Sequence, residues 1–139
     1  MDEEVRAALE IAPNAPSRDH AVDITTYGAS SGKARRIEIW FHHVDGRWFL
    51  SGSPGRRDWY ANLRKDPRMI VHLKHGVTAD LPARGEPITD PDEKRRIITL
   101  ILQGLEEMDG WASASPENID AWTTGSPLVE ILFQPDALS

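Results

Sequence analysis

Apolar and polar residues alternate along the chain with two different periods, and the changes of period mark the elements. From Arg35 to His43 the period is two: Ile37, Ile39 and Phe41 share one face while Arg36, Glu38, Trp40 and His42 share the other, which predicts a half-buried strand. The β-branched run Val22 to Tyr27 ahead of it predicts another strand, ending in the small-residue loop Gly28-Ala29-Ser30-Ser31-Gly32. Asp45-Gly46 is a strong hairpin signal, so Arg47 to Ser51 returns beside its predecessor. A second small-residue loop, Gly52-Ser53-Pro54-Gly55, opens into a helical segment through Asp58, Trp59, Tyr60, Asn62 and Leu63, which Asp66-Pro67 stops. Met69 to Lys74 alternates again, and Thr78 to Gly85 pairs with it across a turn at Gly76.

The period then lengthens. Thr89-Asp90-Pro91-Asp92-Glu93 combines a capping residue, a proline at the first helical position and acids in the first turn, and Ile97, Ile98, Ile101, Leu102, Leu105 and Met108 follow as a helical stripe. Residues 109–126 are rich in Gly, Ser and Pro and carry Trp111 and Trp122, and Leu128 to Phe133 reads as a last strand. Residues 2–10 suit a short amphipathic helix that Pro13 and Pro16 end, so 1–16 is expected to be an N-terminal helix and connector before a single domain spanning 17–139. Six strands joined mostly by tight turns pair antiparallel. The expected class is therefore mainly β, a small closed or partly open barrel with peripheral helices.

Composition narrows the chemistry. A chain of 139 residues is enough for one domain with a real core. The absence of cysteine excludes disulfides, thiolate metal sites and cysteine nucleophiles. No apolar stretch approaches the roughly 18 residues that span a bilayer, and the start is acidic where a signal peptide would be basic, so a cytoplasmic protein without an integral membrane segment is expected. The formal net charge of −6 conceals a cationic island: residues 29–75 carry ten basic and four acidic groups between acidic flanks. Nucleic-acid binders are basic over the whole domain, so a compact anionic ligand is the better reading. The competing reading pairs these arginines with the flanks.

The candidate site lies in residues 25–63. Each glycine- and serine-rich loop is joined to cations, Lys33, Arg35 and Arg36 after the first and Arg56 and Arg57 after the second. Small residues admit a ligand close to the backbone, and exposed N–H groups at a helix start favour an anion, so Ser51 to Gly55, Pro54 included, form a plausible cradle for phosphate or carboxylate. Trp40, Trp59 and Tyr60 offer flat apolar surface for a planar ring. His42-His43 and His72/His75 have no metal-pair spacing, and no metal site is expected.

The pattern Thr25-Thr26-Tyr27-Gly28-x-x-Ser31-Gly32-x-x-Arg35, a hairpin, Ser51-Gly52-Ser53 and Trp59-Tyr60-x-Asn62-Leu63-x-x-x-Pro67 resembles the deazaflavin-dependent nitroreductase family. These are split-barrel flavin and deazaflavin oxidoreductases related to pyridoxamine phosphate oxidases. The resemblance implies a six-stranded antiparallel split β-barrel of the pyridoxamine phosphate oxidase-like, FMN-binding type. It implies the deazaflavin coenzyme F-420 as hydride donor, with its phosphate and acidic tail near Ser31, Lys33 and Arg35 and its ring against Trp40, Ser51, Gly52, Ser53, Trp59 and Asn62. Family members typically read Gly-Arg-Lys-Ser-Gly in the first loop, so two cations are missing here, and Lys33, Arg36, Arg56 or Arg57 would compensate. Where nitro-reducing members carry tyrosines before the last strand, this chain offers Trp111, Asn118, Asp120 and Trp122. Hydride transfer to an unsaturated small-molecule acceptor (nitro, quinone or enone type) is therefore a stronger expectation than nitro reduction itself.

Ser53 is the candidate donor to the negative charge that a hydride leaves on its acceptor. The alternatives are an FMN-dependent enzyme on the same barrel and a non-catalytic carrier of flavin or tetrapyrrole. A homodimer is the favoured assembly.

Overall fold

A computed structural model describes residues 2–110 and 112–134. In chain order the elements are α1 (Glu3–Leu9), α2 (Ser17–His20), β1 (Ala21–Tyr27), β2 (Ala34–Val44), β3 (Arg47–Ser51), α3 (Asp58–Lys65), β4 (Arg68–Leu73), β5 (Ala79–Pro87), α4 (Pro91–Asp109), α5 (Pro116–Gly125) and β6 (Leu128–Phe133). The strands close into an antiparallel barrel in the order β1-β2-β3-β6-β5-β4. The β2–β3 hairpin turns on Asp45 and Gly46, at φ 57° and 67°, the left-handed pair that lets two right-twisted strands meet. Closure leaves few exposed ladder edges.

Strand alternation fills the barrel. Val22 and Ile24 of β1, Phe41 of β2, Leu50 of β3, Val71 of β4, Leu81 and Ala83 of β5, and Val129 and Ile131 of β6 make its core. A second core lies outside the barrel, where Ile97, Ile98, Ile101, Leu102 and Leu105 of α4 cover Val44, Phe49 and Leu128, and Trp122 of α5 joins them. Fully burying one such side chain contributes about 1.5–3 kcal/mol. Asp90 accepts from the Glu93 amide at 2.9 Å, Pro91 occupies the first turn, and Gly110 at φ 73° ends α4 as a left-handed cap.

The structure adds to the sequence pattern in three places. Residues 109–126, to which the sequence pattern assigned no element, contain α5, started by Ser115, whose hydroxyl accepts from the Asn118 amide at 3.2 Å, and by Pro116. Its capping chemistry was in the sequence, masked by the surrounding Gly, Ser and Pro. Across residues 2–16 the helix and connector pack closely on the barrel: Leu9 is fully buried, its carbonyl accepts from the Trp48 indole at 2.9 Å, and a Cβ on Gly104 would lie 2.5 Å from the Pro13 carbonyl oxygen. The face Ile37, Ile39, Phe41 is only partly buried. β3 pairs with Phe41 to Val44 alone, which leaves the first half of β2 held by β1 on one edge and Ile37 39% exposed.

Candidate functional site

That uncovered half of β2 is where the site forms. Two clefts meet along it and share Ile37 and Trp59. The larger, about 800 Å³, runs between the first loop and α3. Ser31, Arg35, Trp59 and Asn62 line it, and Arg35 and Asp58 are its charged groups. The smaller, about 440 Å³, is walled by Trp40, Trp59 and Trp122, with Ser51, Gly52, Ser53 and Arg57 along one side.

Asn62 builds the wall between loop and helix. Its carbonyl oxygen accepts from the Ala29 amide at 2.9 Å, and its amide donates to the Thr26 hydroxyl at 3.1 Å. Both polar ends are spent inside the protein, so Asn62 shapes the cleft through the first loop. Ser31 Oγ accepts from the Lys33 amide at 3.2 Å, and the Lys33 carbonyl accepts from the Gly28 amide at 2.8 Å. These bonds fix a tight loop and leave the Lys33 side chain exposed outside both clefts.

In the smaller cleft the Ser51 hydroxyl donates to the Pro127 carbonyl at 2.7 Å and ties β3 to the approach to β6. Arg57 Nη2 donates to the Ser53 carbonyl at 2.8 Å and to Ser53 Oγ at 3.3 Å. The hydroxyl thus accepts from a cation and turns its own proton elsewhere. Trp40 stacks on the His20 ring, with centroids 5.5 Å apart and planes 27° apart. The sequence-predicted Pro54, Gly55 and Arg56 sit further along: the Gly55 amide donates to the Gly125 carbonyl at 3.0 Å, and Pro54 packs on Gly125. Gly55 and Arg56 line a neighbouring groove, which Arg57 also reaches.

Sequence reasoning missed His42, Leu105 and Ile37 as lining residues. Burial, reinforced by the neighbouring His20, pushes the His42 pKa down to about 3, so the cleft wall is neutral there. His20 Nδ1 meets the Phe41 carbonyl at 2.8 Å, and its buried Nε2 has no hydrogen-bond partner. Of the four residues noted before the last strand, Trp122 enters the cleft, while Asp120 pairs with Arg95 at 2.5 Å and the Asn118 amide donates to the Ser113 carbonyl at 2.7 Å. Trp111 lies outside the described residues. Among the described residues no group of three His, Asp or Glu is placed to hold a metal ion, and no helix is long and apolar enough to cross a membrane.

A smaller cleft walled by indoles, joined at Ile37 and Trp59 to a larger one bearing an arginine and a small-residue loop, suits a planar ring joined to an anionic tail. The barrel is a pyridoxamine phosphate oxidase-like split barrel. A putative pyridoxamine 5'-phosphate oxidase from Listeria innocua superposes with a TM-score of 0.62 at 12% identity, over 95% of this chain and 92% of that one. A conserved hypothetical protein from Mycobacterium tuberculosis matches with a TM-score of 0.67 at 20% identity, over 96% of this chain and 81% of that one. An F420-H2 dependent reductase (FDR-A) matches with a TM-score of 0.55 at 21% identity, over 81% and 93%. The family model for F420H(2)-dependent quinone reductases matches residues 9–107, and the chain belongs to that family. It is accordingly an oxidoreductase whose coenzyme is F-420, which sets aside the FMN-dependent and carrier alternatives.

Proposed function

We propose that this protein transfers a hydride from reduced F-420 to an unsaturated small-molecule acceptor of quinone, enone or nitro type. The observation that carries the reading is the pair of connected clefts, one flat and indole-walled, the other bearing Arg35. When bound, reduced F-420 supplies the hydride, so the protein's task is position and charge. Trp40, Trp59 and Trp122 exclude water and hold planar groups face to face; Arg35, with Lys33 at the rim, holds the anionic end. Ser53 donates its proton as a hydrogen bond to the oxygen that gains negative charge, and Arg57, bonded to Ser53 Oγ, holds that hydroxyl in place and strengthens it as a donor. Ser31, Gly52 and Pro54 complete the coenzyme's surroundings in this proposal, Ser51 and Asn62 keep the walls in position, and Gly55 and Arg56 lie beyond it on the neighbouring groove.

The test is a fluorescence titration with F-420 followed by oxidation of the reduced coenzyme in the presence of a quinone, an enone and a nitroarene. Saturable binding with acceptor-dependent oxidation is expected. Binding without oxidation by any of the three classes would overturn the acceptor assignment. The same proposal carries a cytoplasmic homodimer, checked by cell fractionation and light scattering.

A further inference from the structure

Behind the coenzyme clefts, on the other flank of α3, lies a groove of about 530 Å³ between the second loop, the start of α4 and the turn from α5 into β6. Its charged lining is Arg56, Arg57, Arg64 and Lys94, with no carboxylate. Among the described residues none of these four cations is ion-paired, whereas their sequence neighbours Arg68, Arg95 and Arg96 each hold an acid. The groove is firmly built. Gly55 is bonded to Gly125, Pro54 packs on Gly125, and the Arg64 guanidinium lies 5.8 Å from the Tyr60 ring centre, set on the helix face that looks away from Trp59 and Leu63. Ser126, 2% exposed, lines the same groove, and its buried hydroxyl oxygen has no hydrogen-bond partner. A buried orphan hydroxyl costs free energy unless a ligand satisfies it, and four converging cations without an acid repel one another until an anion arrives. Burial also lowers the Lys94 pKa.

The geometry points to a second anion site in this groove, one that takes a compact polyvalent oxyanion, phosphate or carboxylate, separately from the coenzyme. Arginine forks and a hydroxyl suit oxyanions, and the volume admits more than a single phosphate. Arg57 reaches both this groove and the ring cleft and bonds Ser53, so an anion here competes with Ser53 for the same guanidinium. The site goes beyond the coenzyme reading and does not depend on it.

Calorimetry of the coenzyme-free protein with inorganic pyrophosphate and with citrate tests it. Saturable binding of either probe is expected. The double variant Arg64→Gln, Lys94→Gln weakens it about tenfold or more, Ser126→Ala weakens it about threefold, and Arg35→Gln in the coenzyme cleft leaves it unchanged. Circular dichroism melts confirm folding, and Lys94→Gln alone, expected to weaken binding about threefold, serves if the double variant does not fold. No binding of either probe, binding indifferent to Arg64 and Lys94, or displacement of the probe by F-420 overturns the site. Failure of F-420 to bind would leave the calorimetric result standing, so the two readings fail separately.

Discussion

The outer face of β1, β2, β4 and β5 and the cleft side of the molecule draw on the same cationic island, yet they use it in opposite ways. On the outer face the charges around Asp23 are paired. Register sets Asp23 directly opposite Glu38, a like-charge pair, and Lys74 relieves it by bonding both, at 2.7 Å to Asp23. Arg36 adds a bond to Asp23 at 3.0 Å, and hydrogen bonds from these two cations hold the Asp23 carboxyl below its usual pKa. His72 stands between Asp80, at 2.6 Å, and Thr25, at 2.7 Å. On the cleft side Lys33, Arg35, Arg56, Arg57, Arg64 and Lys94 have no ion pair among the described residues. Adjacent strands bring partners to the first group. The second faces space where no strand lies.

The largest effect expected on the paired side comes from Arg47, which holds Glu130 at 2.8 Å and Glu93 at 2.6 Å. Arg47→Ala leaves the mostly buried Glu130 carboxylate uncompensated and should cost about 2–3 kcal/mol in urea unfolding, with coenzyme affinity retained. A larger loss of affinity than of stability would break the contrast. Ser53→Ala should lower turnover about 10²-fold with coenzyme affinity and melting temperature unchanged. Equal turnover in both proteins would remove Ser53 from the reaction.

The pH dependence sharpens the same contrast. The folded pKa of His42 is about 3 against an ordinary 6.5, so below 6.5 the unfolded chain takes up a proton that the folded chain refuses. Stability is therefore full above pH 6.5 and falls on acidification towards pH 3, by about 1.4 kcal/mol per unit from this group. Urea titrations at pH 7, 6 and 5 should show that slope, and His42→Gln should flatten it. Arg35→Ala should raise the coenzyme dissociation constant about tenfold, with a shallower salt dependence and no loss of stability. Smallest of all, Glu38→Gln should shift the melting temperature by no more than about 2 °C, because the Lys74 bridge to it is solvent-exposed. A larger shift would make the outer network structural beyond what exposed pairs supply.

Much of the architecture was legible locally. Asp45-Gly46 gave the hairpin, Asp90-Pro91 gave the start of α4, and the pattern from Thr25 to Pro67 pointed to the family and its coenzyme. Periodicity and turn chemistry are properties of neighbours in sequence, so they survive without a structure. The site was legible as a set of residues and illegible as a division of labour. Asn62 looked like a ligand contact, yet both its polar ends are held by Thr26 and Ala29. Arg36 and Arg35 looked equivalent, yet opposite faces of β2 give one an aspartate and the other an open cleft.

By itself, then, the sequence determined the strands, the turns, the long amphipathic helix and the family. Tertiary structure alone decided which cations are neutralised, that Trp122 on α5 reaches the ring slot, and that the second loop feeds a separate cationic groove. The reason is physical: backbone preference is set within a few residues, whereas electrostatic pairing and cleft formation depend on groups dozens of positions apart that only barrel closure brings into contact.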